Sequence, residues 1–135
     1  MAFTGNFTAD SFKTALLNGD VDFSTDIFKI ALYTNSASLN ETTSIYTTDG
    51  EVVAAGYTAG GETLSATVSA LDGVSFVSFA NVSWTSALTA RGALIYKEGG
   101  TAVSVLDFGS DKTSTTTFTV EFPPATNTTA ILRLN

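Results

Sequence analysis

The chain contains no cysteine and no histidine. Disulfides, thiolate chemistry, imidazole ligation of zinc or haem, and every Ser-His or Cys-His nucleophile are therefore excluded. Charge is also scarce, at 14% of residues against the ~25% usual for a soluble domain. Six Lys+Arg against 13 Asp+Glu leave a net charge of -7. Phosphate backbones are held by clustered cations, so the sequence argues against a nucleic-acid partner. No apolar run approaches the ~18 residues of a transmembrane helix, so no membrane partner is expected. Met1-Ala2-Phe3-Thr4 has neither the basic region nor the apolar stretch of a signal peptide. Four Asn-x-Ser/Thr triplets, at Asn6, Asn40, Asn81 and Asn127, read as chance products of composition without such a signal.

What is abundant is Thr and Ser, 23 and 14 of 135 residues, alongside 44% hydrophobic residues. That is enough apolar side chain for one core and one domain, residues 1–135. A surface of small, uncharged side chains suits close contact with other protein.

Phe3 and Phe7 stand among small polar residues without helical period, so residues 1–9 read as an extended N-terminal arm. Asp10 to Asn18 carries Phe12, Ala15 and Leu16 on one face and ends at Asn18-Gly19, the pattern of a short helix with Asp10 as N-cap. Period-two patterns follow at 26–34, 51–57, 62–71, 74–84, 89–96, 101–108, 115–122 and 129–134. Asp72-Gly73 signals a tight hairpin. Phe76 and Phe79, three apart, signal a bulge near Ser78 or Asn81. Residues 35–50 form a long Ser/Thr/Asn connection whose only sizeable apolar groups are Leu39, Ile45 and Tyr46. The expectation is an all-β, antiparallel β-sandwich (Ig-like or jelly-roll-like) of eight or nine strands with one short helix.

Few residues offer chemistry. Asp107, Glu121, Glu51 and Glu62 are the carboxylates a glycosidase-type pair would draw on. Trp84, the only Trp, ends a Phe-rich strand and reads as core rather than as a sugar platform. Asp20, Asp22 and Asp26 form an acidic cluster without the glycine or closing glutamate of an EF-hand loop. A solvated turn is preferred there, with calcium left open. Gly60-Gly61 and Gly99-Gly100 read as turns, not phosphate loops. Arg91, in an apolar strand, is placed to reach Asp107 across the sheet. The reading is non-enzymatic, with no catalytic residue, cofactor or resident metal.

Several segments carry a resemblance. Phe28-Lys29-Ile30-Ala31-Leu32-Tyr33-Thr34 leads through the Ser/Thr loop to Tyr46-Thr47-Thr48 and then Gly56-Tyr57-Thr58-Ala59-Gly60-Gly61. Ala90-Arg91-Gly92-Ala93-Leu94-Ile95-Tyr96 follows, then Val105-Leu106-Asp107-Phe108-Gly109, Phe118-Thr119-Val120-Glu121-Phe122-Pro123 and Ala130-Ile131-Leu132-Arg133-Leu134. Together they resemble small virion-associated structural proteins of tailed bacteriophages, of the capsid decoration (cement) or the fibre and tail accessory type. The resemblance implies a virion location and partnership with the major capsid protein or another virion protein. It also implies self-assembly as a homotrimer. The alternative it carries is a fibre, knob or baseplate accessory protein that binds a host receptor or glycan. Protein contacts are then expected from Phe3 and Phe7 on the arm and from Leu39, Ile45 and Tyr46 on the long loop.

Overall fold

The computed structural model describes residues 3–134. The chain folds as an all-β, sandwich-like set of antiparallel sheets with one short helix. The strands are β1 (Phe7–Thr8), β2 (Phe28–Tyr33), β3 (Glu62–Thr63), β4 (Ala66–Leu71), β5 (Val74–Phe79), β6 (Val82–Trp84), β7 (Thr89–Lys97), β8 (Ala102–Thr113), β9 (Phe118–Val120) and β10 (Leu132–Leu134). Helix α1 (Asp10–Leu17) sits between β1 and β2. A five-stranded sheet runs β1-β8-β7-β2-β3, a three-stranded sheet β10-β5-β4, and a pair β6-β9.

β2 and β7 are central in the large sheet, and both faces of each are covered. This is why they read as nearly continuous apolar runs, FKIALY and GALIY, and not as clean alternation. Ile30, Leu32, Leu94, Ile95, Val103 and Val105 are wholly buried there. Aromatic rings tie the layers together. Phe23 stacks on Phe28 of β2 (4.5 Å) and meets Phe12 of α1 and Phe79 of β5 at 6.0 and 6.3 Å. Trp84 is buried between Tyr57 and Phe118, so it is core as expected.

Several boundaries differ from the sequence expectation. The helix starts one residue earlier than Asp10 as N-cap implies. Ala9 takes the cap position, and Asp10 lies in the first turn, where its charge suits the helix dipole. Residues 51–57 are not a strand: one bridge, Tyr33 to Glu51, is all that pairs there. Residues 62–71 split into β3 and β4, on different sheets. Residues 74–84 split at Ala80–Asn81, near the anticipated bulge, and the chain changes sheet at that point. The Asn81 side-chain oxygen fixes this break by accepting from Phe122 N–H (2.8 Å). Residues 109–113, beyond the expected strand 101–108, belong to β8, which slips register against β7 between Gly92↔Asp107 and Ala90↔Lys112. Residues 115–122 and 129–134 shorten to β9 and β10. Asp72 (φ 52) and Gly73 (φ 79) make the anticipated two-residue hairpin turn.

Candidate functional site

Two polar constellations and one apolar groove stand out. In the first, the chain's four tyrosines converge around one carboxylate. Glu51 is only 7% exposed. Its Oε1 accepts from the Tyr46 hydroxyl (2.5 Å), and its Oε2 from the Tyr57 hydroxyl (2.6 Å) and Gly60 N–H (2.8 Å). Tyr57 Oη accepts in turn from Leu32 N–H of β2 (2.9 Å). Tyr96 stacks on Tyr46 (4.8 Å) and donates to the Gly60 carbonyl (2.6 Å), while Tyr33 donates to the Thr47 carbonyl (2.6 Å). A buried carboxylate is tolerated when strong donors satisfy it, and here they do so without a cation among the described residues.

Burial first, and then the Glu51 charge, push the Tyr96 hydroxyl up to about 12. Tyr33, Tyr46 and Tyr57 are raised as well, again chiefly by burial, with Glu51 adding to it. Hydroxyls held in the neutral form donate hydrogen bonds and are poor nucleophiles or bases near neutral pH. The network therefore acts as a clasp, fastening the strandless segment 34–61 to the large sheet.

The second constellation is the Arg91–Asp107 pair between β7 and β8, as the sequence suggested. Asp107 also accepts from Gly109 N–H (2.8 Å), and Arg91 lies over the Phe3 ring at 5.7 Å. The other candidate carboxylates are dispersed: Glu62 is exposed on β3, and Glu121 is exposed just after β9. In the acidic cluster, Asp22 accepts from both the backbone N–H and the hydroxyl of Ser24, which hold its carboxyl below its ordinary value. Asp26 accepts from Asp22 N–H (2.8 Å) and pairs with Lys97 (3.2 Å). The cluster is thus a hydrogen-bonded turn, and no group of metal-ligating residues is found among the described residues.

Comparison with protein-family models, curated proteins and solved structures finds no match.

The contact residues named from sequence are placed differently from one another. Phe3 is buried at 3% exposure, wedged beneath Arg91 and over the backbone of Gly92. Phe7 is half-buried in β1, which pairs with β8 opposite Val105. The described part of the expected arm is therefore laid on its own sheet; Met1 and Ala2 lie outside the described residues. Leu39 is core (3%), and Tyr46 is half-buried in the Glu51 clasp. Of the five, Ile45 alone is open to solvent (63%). The correction has one cause: a large apolar side chain in a polar stretch is as well suited to anchoring that stretch inward as to reaching outward.

The surface that is free lies elsewhere. A groove of about 760 Å³ runs between α1 and the β10-β5-β4 sheet. Leu17, Val68 and Leu134 are exposed on it at 88, 58 and 61%, with Phe12, Phe23 and Val77 beneath. Lys13 and Arg133 also line it. Sequence patterning missed these residues. Leu17 lies off the Phe12/Ala15/Leu16 face of the helix, an outward-facing leucine that was the available signal.

Proposed function

We propose that the chain is a non-enzymatic structural protein of a tailed-phage virion, acting as a capsid decoration protein that docks on the assembled shell through the groove between α1 and β10-β5-β4. The observation that carries this reading is the group of exposed apolar side chains Leu17, Val68 and Leu134 around that groove. Contiguous exposed apolar surface on a folded domain marks a protein contact. The occupant that fits is a segment of the shell protein with apolar and acidic side chains, because Lys13 and Arg133 line the groove while the chain as a whole is acidic. The ionisable side chains with defined partners are spent on architecture: Glu51 in its clasp, Asp107 on Arg91, Asp26 on Lys97 and Glu98 on Lys29.

A protein that binds the assembled shell and not its separate subunits stabilises the assembly by that difference in affinity. About 2 kcal/mol per copy, repeated over a lattice, hardens the particle substantially. The test is copy number in purified particles by quantitative mass spectrometry. Hundreds of copies per particle are expected. A dozen or fewer would instead assign the chain to a fibre, knob or baseplate that meets a host receptor, and absence from the particle would overturn a virion role.

A further inference from the structure

Strand edges are hazards, and this fold guards most of its own. β1 and β3 are two residues long, β6 and β9 three, and β9 runs into Pro123-Pro124. β10 carries Arg133, and the far end of β8 carries Asp111 and Lys112. β4 differs. It is the outer strand of β10-β5-β4, six residues long, and exposed at every position from Thr67 to Leu71. Its sequence, Ala66-Thr67-Val68-Ser69-Ala70-Leu71, has no charge and no proline, and its pairing with β5 has no bulge.

The ladder shows which backbone groups are unused. A two-residue turn makes Leu71↔Val74 a hydrogen-bonded pair, and such pairs alternate along the hairpin. At the other end, Ala80 N–H donates to the Ser65 carbonyl (3.1 Å), in phase with that alternation. The N–H and C=O groups of Ala66, Val68 and Ala70 therefore point away from β5.

We infer that this edge pairs with the β4 edge of a second copy, antiparallel about a two-fold axis at Val68, joining two three-stranded sheets into one. In that register Val68 faces Val68 of the other copy and Ala66 faces Ala70, so each outward donor meets an outward acceptor. Charge selects the occupant. Two chains of net charge -7 repel over most of their surface, but between Glu62 and Asp72 neither brings a charge to the seam. Small side chains allow close approach, and a two-fold contact closes on itself without leaving a new edge. A six-residue seam about 20 Å long and one strand spacing (~4.8 Å) wide covers on the order of 100 Å², well short of an ordinary stable interface of ~800 Å² per partner. The dimer is therefore weak in dilute solution and favoured where copies are concentrated on a lattice. Two-fold pairing yields a dimer where the phage resemblance implies a trimer. The inference stands on the edge geometry and is read without shells, independently of the docking proposal.

Sedimentation velocity on the full chain from ~10 µM to ~1 mM is expected to show mass rising from 14.0 kDa toward twice that value. Val68→Lys sets like charges opposite each other at the axis and should weaken association about tenfold or more, with an unchanged fold. Because the chain lacks cysteine, Val68→Cys is a clean reporter. Opposed Cα atoms about 5.5 Å apart fall within disulfide range, so mild oxidation should give a covalent dimer, whereas Ile45→Cys should stay monomeric. Mass constant at the monomer value, association untouched by Val68→Lys, a trimer, or equal cross-linking at both positions would overturn the inference.

Discussion

Glu51 accepts hydrogen bonds from two phenols and a backbone amide inside the protein, so its removal strands buried donors on three parts of the chain. Glu51→Ala should cost about 3 kcal/mol or more, since bonds to a charged acceptor contribute ~1.5–3 kcal/mol each and do not add fully. Tyr57→Phe, which leaves Leu32 N–H unpaired, should cost about 1–3 kcal/mol. Urea midpoints read by fluorescence of the single buried Trp84 check both. The clasp also fixes an alkaline limit. All four tyrosines are raised in the fold, so the folded state holds protons that the unfolded chain releases near pH 10. Their contribution is intact below pH 10 and is lost progressively as pH climbs above it, Tyr96 ionising at about 12 and Tyr33, Tyr46 and Tyr57 higher still. A stability profile that is flat from pH 9 to 12 would contradict the clasp. At Gly92 the constraint is space: an added Cβ would lie 2.5 Å from the Leu106 carbonyl oxygen and 2.5 Å from the Phe3 ring. Gly92→Ala should cost ~1–3 kcal/mol and speed proteolysis near Phe3. The Arg91–Asp107 pair was legible in sequence because sheet neighbours of opposite charge are few here. The Glu51 clasp was not, because its members are scattered from Tyr33 to Tyr96 and only the folded loop brings them together.

At the scale of elements, the β4–β5 hairpin and β7 were legible from turn chemistry and apolar patterning. Strand ends were harder to place. Tyr57, within the apparent strand 51–57, uses its hydroxyl to reach Leu32 N–H, so a side chain does what a ladder would otherwise do. Gly109 (φ 85) allows β8 to run through a segment that reads as a loop. Gly73 tests the hairpin cleanly. Its φ is 79, and a Cβ there would meet nothing within 4 Å, so Gly73→Ala isolates the backbone cost. That cost should be about 1–2 kcal/mol. A neutral result by thermal melt would show that the turn is not held in this conformation.

For the molecule as a whole, charge is scarce and the aromatic core is deep. The two surfaces argued for, the groove beside α1 and the β4 edge, adjoin through Val68, which belongs to both. In the proposed arrangement, one face of the small sheet meets the shell while its edge meets a second copy. The all-β class was readable from composition and period. The proposed docking face was not, since burial of Phe3 and Leu39 depends on tertiary packing that no local pattern reports. Co-sedimentation of the purified chain with shells stripped of it tests the account most directly, comparing wild type with a Leu17→Asp/Leu134→Asp variant. Both positions are exposed, so the variant should keep the wild-type urea midpoint. The account predicts saturable binding at hundreds of sites for wild type and its loss in the variant; equal binding by both, or no binding by wild type, would contradict it.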